Sequence, residues 1–141
     1  MSVNDLYQDI LLDHSRNPRS FRKISDDEAI IDEENPTCGD HIKMVVDVDA
    51  GKVSKLEVDC EGCAICTASS SIMVESMLGS SVDEARRFAQ SFVEMMRGET
   101  DMDEEELGDL VALEGVREYP LRIKCATMPW HGLEAALKKL V

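Results

Sequence analysis

The sequence predicts an α+β domain, a small antiparallel sheet of about three strands packed against several α-helices. Two observations carry that expectation. Period-two alternation is confined to the first half of the 141 residues, and period-3.6 patterning with capping signals dominates the second. A third bounds the size: a chain of this length buries an adequate core as one domain, residues 1–141, without disulfide staples.

The elements follow in order. Ser2 is placed to cap a first helix whose apolar positions Val3, Leu6, Tyr7, Ile10 and Leu11 recur at helical spacing, with a stop before Asn17-Pro18. Arg19 to Glu34 reads as a loop and then a short edge strand around Ala29-Ile30-Ile31. Ile42, Met44, Val46 and Val48 alternate with charged residues before a turn at Ala50-Gly51. Leu56, Val58 and Cys60 alternate after it, which makes a hairpin with one wet face. After Gly62 the period becomes helical, with Ile65, Ser69, Ile72, Met73 and Ser76 on one stripe and Gly79 as the stop. Ser81 and Glu84 form a capping-box pair ahead of Ala85, Phe88, Ala89, Phe92 and Met96, and Gly98 ends that helix. From Glu99 to Asp109 seven of eleven residues are acidic, the pattern of a solvated face or a mobile loop. A short helix is expected around Leu107, Leu110, Val111 and Leu113. Pro129 is expected to open a terminal helix carrying Trp130, Leu133, Leu137 and Leu140.

Charge narrows the function classes. A net charge of −14 disfavours nucleic acid, whose phosphates need a basic surface, and disfavours anionic membranes. No apolar run approaches the roughly 18 to 20 residues that span a bilayer. The first residues, Met1 to Asp5, lack the basic and apolar regions of a signal peptide, so a cytoplasmic protein is expected. Five cysteines without an export signal point to metal binding or thiol chemistry rather than a disulfide framework.

Four residues stand out. Cys38 and Asp40 share the turn Asn35-Pro36-Thr37-Cys38-Gly39-Asp40, where Gly39 allows the bend that turns two donors to one point. Cys63 follows Gly62 at a helix start, where the dipole and free N–H groups favour a thiolate. Cys125 lies beside Arg122 and Lys124, whose charge acts the same way. Three thiolates and a carboxylate are a closed donor set for one tetrahedral metal, zinc or iron. Cys60 reads as a small core residue of its strand, and Cys66 as a packed or partly exposed thiol one turn beyond Cys63. His14, His41 and His131 read as solvated or helix-face residues, with His41 the main competitor to Asp40. No Ser-His-Asp grouping, phosphate-cradling loop or Rossmann fingerprint is read from the sequence.

Asn35-Pro36-Thr37-Cys38-Gly39-Asp40, Gly62-Cys63-Ala64-Ile65 with Ala68-Ser69-Ser70-Ser71, and Ile123-Lys124-Cys125-Ala126-Thr127 with Trp130 together resemble the IscU/NifU-like iron-sulfur cluster assembly family, closest to its SufU branch. The resemblance extends over nearly the whole chain, including Leu6-Tyr7 through Asp13-His14 to Asn17-Pro18. Lys124 stands where classical IscU scaffolds carry a histidine, and the stretch from about Glu99 to Tyr119 resembles the segment that SufU-like members insert. The resemblance implies a zinc site made by Cys38, Asp40, Cys63 and Cys125 and a role in accepting sulfur from a SufS-type pyridoxal-phosphate cysteine desulfurase. Cys38 would be the sulfur acceptor, freed when a partner histidine takes its place, Arg122 would orient the partner or the thiolate, and a downstream cluster-assembly scaffold would receive the sulfur. The alternative is a scaffold on which a [2Fe–2S] cluster is built with iron on the same four donors.

Overall fold

The computed structural model describes residues 3–36 and 39–140, and side chains from residue 7 onward. The expected cap Ser2 and the faces expected of Val3 and Leu6 therefore lie outside the described residues, as does Cys38. The chain runs α1 (Val3–Arg16), β1 (Ile31–Asn35), β2 (Asp40–Asp49), β3 (Lys52–Glu61), α2 (Ala64–Met77), α3 (Val82–Met96), α4 (Glu104–Leu107), a 3-10 segment (Gly108–Glu118) and α5 (Pro120–Leu140).

The sheet has three antiparallel strands in the order β1-β2-β3. Its alternation is the one read from sequence: Ile42, Met44 and Val46 of β2 and Leu56 and Val58 of β3 are buried on one face. The hairpin turns at Ala50-Gly51, both with positive φ, as a tight two-residue connection requires. The edge strand starts later than the apolar run suggests, because Ile31 pairs with Met44 and the ladder then runs through acidic residues to Asn35 opposite Asp40. That register brings the two ends of the Asn35–Asp40 turn together. On the far side, Arg22 N–H donates to the Val58 carbonyl and Val58 N–H to Ser20, so the loop after α1 covers the open edge of β3.

The helices pack on the apolar face. α2 is more central than its single stripe suggests, with Cys66, Ala68, Ser69, Ser70, Ser71, Ile72, Met73, Val74 and Met77 all buried, while Ser76 is exposed. α3 begins as its capping pair predicts, the Ser81 hydroxyl accepting from Glu84 N–H. The acidic stretch does present its carboxylates to water, yet it is anchored: Leu107, Leu110, Leu113 and Val116 are buried beneath it. The short helix expected there is mostly a run of 3-10 turns.

One expectation fails at α5. Pro129 lies inside the helix, which starts at Pro120. Pro120 supplies the pre-set φ and missing N–H that suit a first helical position, whereas Pro129 removes the bond to the Cys125 carbonyl. Tertiary packing overrides that cost. Trp130, wholly buried, sits between Phe88 and Phe92 of α3, with ring centroids 5.4 and 5.2 Å away. Its indole N–H donates to the Ser69 hydroxyl (3.1 Å), which donates to the Ala126 carbonyl (2.6 Å) in the turn that Pro129 interrupts. Thus α2 and α5 are locked together one residue from Cys125.

Ser69→Ala would leave a buried indole N–H and a buried carbonyl without that partner. We expect a loss of about 1–3 kcal/mol, measured by urea denaturation of purified protein.

Candidate metal centre

Three of the four predicted donors meet. Asp40 opens β2, Cys63 is the N-cap residue of α2, and Cys125 lies in α5, and one donor atom from each falls within 4.8 Å of the others. Asp40 is 1% exposed and Cys125 0%, with Cys63 half-buried at the mouth. The sequence separates these residues widely, so only the packing of α2 and α5 on the sheet assembles them.

The local chemistry explains the placement. A buried carboxylate costs free energy unless donors answer it. Cys63 N–H donates to Asp40 Oδ1 at 2.8 Å, and the Cys63 sulfur lies 3.9 Å from Oδ2. This is a helix N-terminus presented to an anion, with the cap role reversed: the carboxylate comes from another element and the Cys63 side chain makes no cap bond of its own. Gly62 makes the approach possible. A Cβ there would lie 2.2 Å from Asp40 Oδ1, so no larger residue fits without displacing the carboxylate. Gly39, at φ +74°, turns the chain into β2, and its N–H bonds the Asn35 carbonyl at 2.8 Å.

The other predicted residues resolve differently. His41 is the neighbour of Asp40, but strand alternation turns it to the opposite face, where Nε2 pairs with Asp32; it does not join the donor cluster. The Asp32 carboxylate holds its pKa above the ordinary histidine value. Arg122 is exposed near the start of α5, one turn before Cys125, with its N–H bonded to the Tyr119 carbonyl. Lys124 is exposed and lines a cleft of about 600 Å³ with Glu33, Glu34, Thr127 and His131.

Sequence reasoning missed one constellation. His14, expected to be solvated or a helix-face residue, lies on α1 but is 1% exposed; Nδ1 lies 2.8 Å from Ser71 Oγ and Nε2 lies 3.1 Å from Asp109. A Ser-His-Asp chain is therefore present after all. Ser71 Oγ also accepts from Arg19 N–H (2.9 Å). Because Ser71 is wholly buried in α2, no substrate reaches it, and the chain of bonds ties α1 to α2 and to the 3-10 segment. No signal in the sequence marked His14 as buried; once packed inside, its ring needs the partners that it finds.

Comparison with known proteins places this geometry. The model of the NifU-like N-terminal domain matches residues 6–126. The chain belongs to that family. It is 37% identical over 138 residues to the zinc-dependent sulfurtransferase SufU of Bacillus subtilis, covering 98% of this chain and 93% of that protein. It is 39% identical over 137 residues to the iron-sulfur cluster assembly scaffold protein IscU of Streptococcus pyogenes, covering 97% and 86%. Among solved structures it resembles an iron-sulfur cluster assembly scaffold protein for the SUF system from Fervidobacterium islandicum, at a TM-score of 0.81 and 31% identity over 96% of this chain and 99% of that one. The expected α+β fold and SufU-like membership of the family hold.

Gly62→Ala is expected to drive the Asp40 carboxylate off the α2 terminus and cost about 1–3 kcal/mol as an overpacked site. Chemical denaturation beside the wild type measures it.

Proposed function

We propose that this protein is a zinc-dependent sulfurtransferase that accepts persulfide sulfur from a SufS-type, pyridoxal-phosphate cysteine desulfurase for iron-sulfur cluster assembly. The observation that carries the proposal is the convergence of Asp40, Cys63 and Cys125, with Cys38 two residues before Asp40 in the sequence. The likeness to a zinc-dependent sulfurtransferase over nearly the full chain supports it. Residues 1–141 act as one domain, whose core is continuous from the sheet through α2, α3 and α5. No helix among the described residues is long and apolar enough to cross a membrane, which fits work in the cytoplasm.

The donor chemistry suits the metal. One carboxylate and two thiols, two of the three residues buried, lie within reach of a single ion, and each is a ligand only in its deprotonated form. Clustered anions of this kind are held in a dry site by a cation. Asp40, Cys63 and Cys125 would hold zinc with Cys38 as the fourth ligand, and bound zinc would keep the thiols ionised at neutral pH.

The residues of this chain then divide the work. The Cys38 thiolate attacks the outer sulfur of the desulfurase's cysteine persulfide. A bond forms between Cys38 sulfur and that atom, the donor's sulfur–sulfur bond breaks, and the donor cysteine leaves as a thiolate. Asp40, fixed by Cys63 N–H and the Gly62 contact, keeps its place while Cys38 reacts. Arg122, exposed one turn from Cys125, orients the partner or the thiolate. Sulfur passes from Cys38 to a downstream cluster-assembly scaffold.

The relatives named as IscU scaffolds favour a second reading, in which the same donors take iron as a [2Fe–2S] cluster. Desulfurase assays with radiolabelled cysteine decide between them. The zinc-loaded wild type is expected to stimulate the desulfurase and take up label. Cys38→Ala should still dock but fall to background labelling. A brown, cluster-bearing wild type that gains no label would support the scaffold instead.

A further inference from the structure

Cys60 and Cys66 stand outside the proposed donor set, and the structure brings them into contact. Cys60 lies near the end of β3, Cys66 in the first turns of α2, and their sulfurs are 3.2 Å apart. That separation is only about 1 Å longer than a sulfur–sulfur bond, a gap that small side-chain rotations close. The two residues bracket Gly62 and Cys63, so the segment between them carries one donor of the candidate centre.

The pair is asymmetric. Cys66 is wholly buried, whereas Cys60 is half-buried and reaches the surface. A reagent from solvent therefore meets Cys60 first, and Cys66 lies behind it, hydrogen-bonded to it. The hydrogen bond between the two sulfurs works in the same direction, lowering the Cys60 pKa and raising that of Cys66.

We propose that Cys60 and Cys66 form a redox-active dithiol, separate from the metal donors, whose substrate class is small-molecule disulfides. The Cys60 thiolate attacks one sulfur of the disulfide; a Cys60 mixed disulfide forms and one thiolate leaves. Cys66 then attacks the Cys60 sulfur, its proton passing to the second thiolate as that group is expelled. The cysteine pair is oxidised by two electrons to an intramolecular disulfide, and the small disulfide is reduced to two thiols. This inference does not rest on the sulfur-transfer reading, since it uses neither Cys38 nor a partner enzyme.

The test uses purified full-length protein with its metal content measured before and after exposure to oxidised glutathione, followed by alkylation and peptide mass mapping. The wild type is expected to lose two alkylatable thiols, to yield a Cys60–Cys66 linkage and to keep its metal. Cys66→Ala should instead retain one glutathione on Cys60, and Cys60→Ala should leave Cys66 unmodified. The proposal is overturned if wild-type protein stops at the glutathione adduct, if the recovered linkage contains Cys38, Cys63 or Cys125, or if thiol loss only accompanies metal loss. Sulfur labelling of the reduced protein reports separately on the proposed function, so either idea can fail alone.

Discussion

A carboxylate with 1% of its surface exposed must be answered, and Asp40 is answered by the first turn of α2. The 2.8 Å bond from Cys63 N–H fixes where the helix starts relative to β2. It also turns the Cys63 sulfur to the same side as the carboxylate, and it dictates glycine at position 62 because a Cβ would overlap Oδ1. The interaction that orders the junction of sheet and helix is thus the one that pre-places two donors. Fold and site are one constraint at this point, and a substitution here cannot affect one alone.

The third donor is positioned from the other side of the molecule. Cys125 belongs to α5, and α5 is held by Trp130 between Phe88 and Phe92 and by the bonds from Trp130 through Ser69 to Ala126. The close approach of α5 to the sheet is visible at Gly132, where a Cβ would lie 3.0 Å from Met44 Cε. Packing density therefore sets the separation of Cys125 from Asp40 and Cys63. A precise donor cluster needs such support, since ligands borne on rigid elements are held to a tighter geometry than ligands on loops.

The sheet and the helix starts at Cys63 and Ser81 were legible in the sequence because each rests on local rules, alternation and capping. His41 was a competitor to Asp40 only while strand register was ignored, since adjacent strand residues face opposite ways. What stayed hidden depends on distant partners. Of the run of serines in α2 only Ser69 falls on the stripe read from sequence, yet Ser69, Ser70 and Ser71 are all buried, and two of them bond residues more than fifty positions away. His14 was misread for the same reason, its partners Ser71 and Asp109 being brought to it by packing. Pro129 was misread because a helix-opening proline and a tolerated internal one look alike until the buried Trp130 is seen to hold the helix through it.

The proposed centre requires Asp40, Cys63 and Cys125 to bind one metal together with Cys38. X-ray absorption at the zinc edge of the isolated protein tests that directly. The prediction is a four-coordinate shell of three sulfurs at about 2.3 Å and one oxygen at about 2.0–2.2 Å, with no imidazole scattering. A shell without sulfur, or one containing histidine nitrogen in place of the carboxylate oxygen, would contradict it.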